Sequence, residues 1–425
     1  MTRRLLPCAL GALLAACGAG PVALDGWGGA LELPIGTPTG FFTVGEAKGR
    51  SFLVTPDGHA FLSMGVNNIN PDGDVDRATS QPIYRPAVDA RYGTTAAWGD
   101  ATRARLARWG FNTAGAWSTD GALAELPTTP ILDLAGHEIA GSQPVDYFDP
   151  AWEAAARARA LKLARPRADE ARVVGWFSDN ELRWGADWNG PQDLLDLYRS
   201  FDAAAPGRQA AEAFLAARGG DDGPDARRAF ASLVAERYFA VAEAAIRAAA
   251  PHHLYLGCRF VSYVTPREVA VAAGPHVDVI SANHYEVTDD ARTLIPALGT
   301  YLPTDGWLAE LAVATGKPVL ISEFASRADD AGLPNSKPFQ IVTPVYATQA
   351  ARADALERYG RALAEAPHLV GLHWFQWVDE PASGRFDGED SNWGLVAKTD
   401  EPYAELTERA AAVGPIYAYG AALGR

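Results

Sequence analysis

The sequence predicts an α/β fold, a (β/α)8 TIM barrel with a short N-terminal β-hairpin. Three observations point there. Eight apolar, strand-like runs recur along the chain, at 61–67, 111–117, 129–134, 173–181, 254–260, 278–285, 318–324 and 369–377. Helical patterns or long polar loops separate them, as expected of βαβ units and a parallel sheet. The glycine-rich first turn of a doubly wound sheet is missing, and eight units favour a barrel over that alternative.

Taken in order, the chain begins with a targeting signal that stays outside the fold. Arg3 and Arg4 make a positive start, and residues 5–16 form an apolar run too short to span a bilayer as a mature helix. The run ends in Leu14-Ala15-Ala16-Cys17, which resembles the lipobox of bacterial lipoproteins, in which the cysteine is lipidated and becomes the mature N-terminus. An ordinary secretory signal with a chance cysteine is the alternative. On the lipoprotein reading, 1–16 is the signal peptide, Cys17 the lipidation site, 17–40 a tether rich in Gly, Ala and Pro, and 41–425 the barrel with its hairpin. Gly18 after the cysteine leans towards an exported protein anchored to the cell envelope at the outer membrane or cell surface.

Segment 41–60 alternates apolar and polar residues around the turn signal Pro56-Asp57-Gly58, so a hairpin is expected, closing the bottom of the barrel. Helix punctuation then supports the alternation. The helical pattern 100–109 stops at Gly110, 307–315 stops at Gly316 before Lys317-Pro318, and 225–250 stops at Pro251. The Ala-rich tracts 151–164 and 240–250 carry spaced Leu, Val and Ile and read as outer-ring helices.

Composition narrows the partners. The formal charge is −15 with no basic stripe, which argues against nucleic acid. Cys258 has no partner once Cys8 and Cys17 are assigned to the signal and the lipid, so a disulfide framework is excluded. No Cys or His spacing resembles a metal site, and the adjacent His252 and His253 would point in different directions. The reading therefore includes no metal and no cofactor, and leaves the oligomeric state open.

The run 173–181 carries the chemistry. It opens as a buried strand and breaks into Asp179, Asn180 and Glu181, polar residues that cannot continue a core. The run 318–324 repeats the design and places Glu323 near its end. In a barrel, catalytic side chains gather at the C-terminal ends of the strands, and two glutamates there are the pair that glycosidic hydrolysis needs. A lone glutamate at a strand end is more often a salt bridge. Two of them, on the fourth and seventh runs with Asn180 before one, reverse that reading.

That pattern resembles glycoside hydrolase clan A, and the motifs are closer still to one family. Gly175-Trp176-Phe177-Ser178-Asp179-Asn180-Glu181-Leu182, Leu256-Gly257-Cys258-Arg259-Phe260, Ile321-Ser322-Glu323-Phe324, and His373-Trp374-Phe375-Gln376-Trp377 with Gly384-Arg385 and Asp387-Gly388-Glu389 are together similar to glycoside hydrolase family 50, the β-agarases. The resemblance spans roughly residues 61–403. It implies hydrolysis of β-1,4-galactosidic bonds in agarose or a related galactan with retention by double displacement. Too few residues precede the barrel here for the N-terminal carbohydrate-binding domain that such agarases commonly carry.

Carried onto this chain, the resemblance makes Glu323 the nucleophile and Glu181 the acid/base, with Asn180 on the sugar 2-hydroxyl or, alternatively, capping the next helix. Tyr285 is placed to donate to Glu323, and His284 to do the same, touch sugar or pack structurally. Arg259 either neutralises the carboxylates or completes a salt bridge. Asn67 and the tryptophans at strand ends complete the sugar-binding set: Trp117, Trp184, Trp374 and Trp377, with Trp393 a further candidate and Trp374 and Trp184 foremost. Two other functions compete: a retaining clan A β-glycosidase on another β-galactoside or β-glycan, and a non-catalytic surface glycan-binding lipoprotein. The acid/base pair counts against the second, since a binding module has no use for it.

Overall fold

The structure, a computed structural model, describes residues 22–136, 144–186, 190–262, 264–289, 291, 306–336 and 343–425. The lipobox, with Cys17, lies outside the described residues.

Ahead of the barrel runs stands a four-stranded antiparallel sheet, larger than the expected hairpin. Its strands are Ala30–Pro34, Thr43–Ala47, Arg50–Val54 and His59–Phe61, and Ala30–Pro34 pairs with His59–Phe61 at one edge. Part of the stretch read as a tether is thus strand, with Ala30 and Leu33 buried despite the Gly- and Pro-rich surroundings. Lys48 (φ 54°) and Gly49 (φ 74°) turn one hairpin in the left-handed region, which matches the strand twist. Pro56-Asp57-Gly58 turns the next, as expected from the sequence, with Gly58 at φ 91°.

The sheet seals the entry ends of the parallel strands. Phe42, Leu53 and Phe61 share one buried cluster with Val174, Leu254, Leu256, Val279, Leu320 and Val370 from the fourth to eighth runs. Arg50, almost fully buried, donates through Nη2 to the carbonyls of Leu363 and Leu369, both at 2.9 Å. That buried guanidinium ties the sheet to the start of the eighth run.

The main sheet has six parallel strands, in the order Phe260–Val261, Ile280–Asn283, Val319–Phe324, Leu369–Trp374, Ser63–Val66 and Thr113–Ala114. Gly175–Trp176 and Leu254–Tyr255 form a separate parallel pair. Isolated parallel bridges link Ala114 to Thr128, Thr128 to Val173 and Ile131 to Phe177. The fold is therefore mixed α/β, and its ladders do not run as one clear closed barrel. Backbone geometry gives the reason. The third run makes only bridges, and the fifth is split by Gly257 (φ 81°) and Arg259 (φ 54°), conformations that a strand cannot hold.

Helices lie between the strands, four of them over the helical patterns read in the sequence and Gln349–Glu365 in addition. They include Thr95–Arg108, Pro150–Leu163, Pro224–Ala249, Trp307–Thr315 and Gln349–Glu365. Gly316, at φ 65°, ends Trp307–Thr315 in the left-handed cap that glycine adopts without strain. Among the described residues no helix is long and apolar enough to cross a membrane.

Packing between the first and eighth strands leaves no room for a side chain at Gly371, where an added Cβ would lie 2.3 Å from the Ser63 carbonyl oxygen. Gly371→Ala is predicted to lower unfolding stability by roughly 1–3 kcal/mol through overpacking, read as a shift of the urea midpoint at unchanged slope. A midpoint equal to wild type would show that the two strands are not held at this spacing.

Candidate active site

The C-terminal ends of the runs are where the backbone departs most from relaxed geometry. Asn68 (φ 51°), Trp117 (φ 61°), Asp133 (φ 51°), Glu181 (φ 53°) and Arg259 (φ 54°) take left-handed backbone at the ends of runs one to five. Non-glycine residues there cost free energy and cluster at functional sites, because the turn aims a side chain that a strand would carry elsewhere.

The seventh strand aims Glu323 by another device. Ala282 pairs with Ile321 but Asn283 with Glu323, so one extra residue sits on the seventh strand. On the other side Ile321 pairs with Leu372 and Phe324 with Trp374, again with one residue too many. This is a β-bulge at the site. Leu320 belongs to the inner cluster and Ile321 to the outer one, and strict alternation would send Glu323 outward with Ile321. The bulge turns it inward.

Glu323 is 5% exposed and held from two sides. Arg259 Nη2 donates to Oε1 at 2.7 Å and to the Ser322 carbonyl at 2.9 Å, and the Tyr285 hydroxyl donates to Oε2 at 2.7 Å. Arg259 is completely buried, with its guanidinium 4.3 Å from the Trp117 ring centre and 5.2 Å from that of Phe177. Among the described residues its Nε and Nη1 have no hydrogen-bond acceptor, and the two aromatic rings lie against the guanidinium. Burial, then the charge of Glu323, holds the Tyr285 phenol well above its ordinary range, so it remains a donor.

Glu181 is in a different environment. Asn283 Nδ2 donates to its Oε1 at 2.8 Å and to the Asn180 Oδ1 at 3.0 Å. Asn283 Oδ1 in turn accepts from the Ser322 hydroxyl at 2.8 Å, so one amide links the two strand ends. Burial first, and then the negative charge of Glu323, raise the Glu181 carboxyl from 4.5 to about 8. The Asn283 hydrogen bond and Arg259 oppose that rise, while Glu389 adds to it.

Several expected site residues do meet here: Glu181, Glu323, Asn180, Arg259, Tyr285 and Trp117. Others lie elsewhere. Asn67 is fully buried, its Nδ2 donating to the Ser322 carbonyl at 2.9 Å and its Oδ1 accepting from the Ala116 amide at 2.9 Å, so it braces three strand ends rather than facing sugar. Trp374 points to the helix layer, packed edge-on to Phe324 under Arg352, with its indole N–H on the Trp393 carbonyl. Trp377 stacks on Trp109, and Trp184 sits in an aromatic cluster with Tyr147, Tyr238, Phe239 and Phe260. All three are buried, so among these tryptophans only Trp117 keeps a partly exposed ring in the site. His284, one residue out of phase with Asn283 and Tyr285, is buried against Ser262 and Tyr359. Trp393 packs against Tyr285 beneath Arg327.

Three contributors were given no role in the sequence reading. Asn283 is one; alternation from Tyr285 on the sixth run would have found it. Phe375 is another, with its ring edge-on to Trp117 at 6.5 Å. The third is the group around Arg385, which pairs with the buried Glu380 at 3.2 Å and Glu389 at 2.7 Å and with Asp387 at the loop rim at 2.9 Å. Burial raises both Glu380 and Glu389, and the negative charge of Glu389 pushes Glu380 further, against the opposing charge of Arg385. Among the described residues no group of three or more His, Cys, Asp or Glu forms a metal-binding set.

No protein-family model matches the chain. β-Agarase A of Vibrio sp. strain JT0107 is 28% identical over 481 residues, covering 90% of this chain and 46% of its own length. The chain thus spans about half the length of that curated relative. The crystal structure of an agarase, AgWH50C, superposes with a TM-score of 0.75 at 25% identity, covering 93% of this chain and 66% of that one. BpGH50 superposes at 0.77 and 20% identity, covering 97% and 90%, a likeness of fold. The chain is β-agarase-like and similar to glycoside hydrolase family 50, as its motifs imply.

The raised Glu181 carboxyl has a sign. Its protonated form is favoured in the folded state, so this group's contribution to stability is full below about 4.5 and is lost as pH rises through about 8. Asn283→Ala removes a donor to the ionised form and is predicted to move the Glu181 titration to higher pH, followed by carboxyl-carbon NMR. A downward or absent shift would contradict the arrangement.

Proposed function

We propose that the chain is a retaining glycoside hydrolase that cleaves β-1,4-galactosidic bonds of agarose or a related galactan by double displacement, on a (β/α)8 barrel. The barrel reading is supported by parallel neighbours that follow the chain order of the runs, through ladders or single bridges. One observation carries the mechanism: two glutamates near strand ends sit in opposite environments, Glu323 between Arg259 and Tyr285 and Glu181 raised to about 8. A protonated donor beside an ionised carboxylate is what a two-step glycosidase needs at neutral pH.

In the first step Glu323 attacks the anomeric carbon while Glu181 gives its proton to the leaving oxygen. In the second, Glu181, now a base, takes a proton from water, and the water displaces Glu323. Asn180, its oxygen engaged by Asn283, turns its amide nitrogen to the sugar 2-hydroxyl. No cofactor enters either step. The galactan substrate is supported by the agarase relatives. Another β-galactoside or β-glycan is the competing substrate, and a silent glycan-binding protein the competing class.

Export and anchoring to the cell envelope through a lipid on Cys17, at the outer membrane or cell surface, is a second part of the proposal. It rests on Leu14-Ala15-Ala16-Cys17.

Wild type is expected to hydrolyse agarose within a panel of agarose, porphyran, galactan and aryl β-galactosides. Glu323→Gln should lose at least roughly a thousandfold in kcat. Early products followed by NMR should keep the β configuration. Undiminished hydrolysis by Glu323→Gln, or initial inversion, would overturn the mechanism, and wild type inert on the whole panel would favour the binding protein. Cys17→Ala should appear in the soluble fraction, and an unchanged membrane fraction would refute the anchor.

A further inference from the structure

Phe386 is the most exposed aromatic ring among the described residues, at 68%. It lies at the tip of the loop after the eighth run, on a tightly framed turn. Gly384 N–H donates to the Pro381 carbonyl, Arg385 N–H to the Glu389 carbonyl and Gly388 N–H to the Arg385 carbonyl, at 2.8, 2.8 and 3.0 Å. From the loop after the first run, Arg77 Nε donates to the Ser383 carbonyl at 2.5 Å and the Arg77 N–H to the Gly384 carbonyl at 3.0 Å. An exposed phenyl at a loose loop tip would be unremarked; this one is fixed in place.

The ring is also joined to the catalytic pair. The Arg385 guanidinium lies 5.4 Å from the ring centres of both Phe386 and Phe375. Phe375 meets Trp117, and Trp117 carries Arg259, which binds Glu323. An aromatic and guanidinium wall therefore runs from the nucleophile to the protein surface, with Phe386 as its outer end. Arg385 is held by three carboxylates, which fixes the wall's pitch.

We propose that Phe386 is a stacking platform for a sugar ring of the same galactan chain, several units from the bond that is cleaved. The C–H face of a pyranose lies flat on such a ring and covers its apolar area, while the sugar hydroxyls stay in water or reach the exposed Arg77 and Asp387 at the loop rim. A single polymer then touches the catalytic pair and the platform together, so the platform acts through chain length. This inference rests on the galactan reading above.

The test uses Glu323→Gln protein, in which binding is read without turnover, titrated calorimetrically with agarose oligosaccharides of increasing length. Adding Phe386→Ala should weaken the longer oligosaccharides by roughly three- to tenfold while weakening the shortest one that binds by much less, and Phe386→Trp should restore the affinity. Equal affinities with and without the phenyl ring at every length would overturn the platform alone, provided wild type hydrolyses agarose. A wild-type chain that neither binds nor hydrolyses any galactan overturns both the function and the platform.

Discussion

The contact between Arg259 and Glu323 is the interaction on which the remaining geometry depends. Two carboxyls share one buried mouth, and both cannot be ionised there without a large cost. A completely buried guanidinium on Glu323, with the Tyr285 hydroxyl on its other oxygen, decides which of the two keeps the charge. Glu181 then feels burial and a fixed negative neighbour, and both favour its proton. Burying Arg259 is itself costly, and the protein offsets that cost with the Glu323 carboxylate, the Ser322 carbonyl and the faces of Trp117 and Phe177.

Holding this arrangement requires local backbone that the fold must support. The bulge before Glu323 and the left-handed turns at Glu181 and Arg259 each break a strand where a side chain has to face the mouth. The same breaks shorten the ladders, and this is why the regular sheet covers six strands while the fourth run survives only as a short pair. Stability is recovered beneath the site, where the antiparallel sheet packs Phe42, Leu53 and Phe61 against the inner apolar layer. Asn67 ties the upper ends together by spending both amide atoms on backbone.

Much of this was legible in the sequence because it depends on patterns of short range. The apolar runs, the helix stops at Gly110 and Gly316, and the switch from apolar to polar at Asp179 are local signals. Glu181 and Glu323 stood out as a pair at the ends of two apolar runs, with Asn180 before one, where either alone would have read as a salt bridge. What escaped depends on facing, which a bulge or a left-handed residue resets without a clear mark in the sequence. Trp374 and Trp377 follow a strand pattern that gives no hint of the helix layer and Trp109 that cover them. Trp184 was misjudged because the Pro224–Ala249 helix that buries it comes some forty residues later. The Arg385 cluster lies after the last strand signal, so its residues entered the sequence reading only through the motif resemblance, with no role of their own.

The central claim is that Glu323 is the charged partner and forms the covalent bond to the sugar. An agarose-disaccharide fluoride carrying fluorine at C2 slows the second step and lets the adduct accumulate, and peptide mass spectrometry then locates it. Double displacement at Glu323 gives one disaccharide per chain, attached at Glu323. A label on Glu181, or steady turnover of the reagent with no adduct on either glutamate, would contradict it.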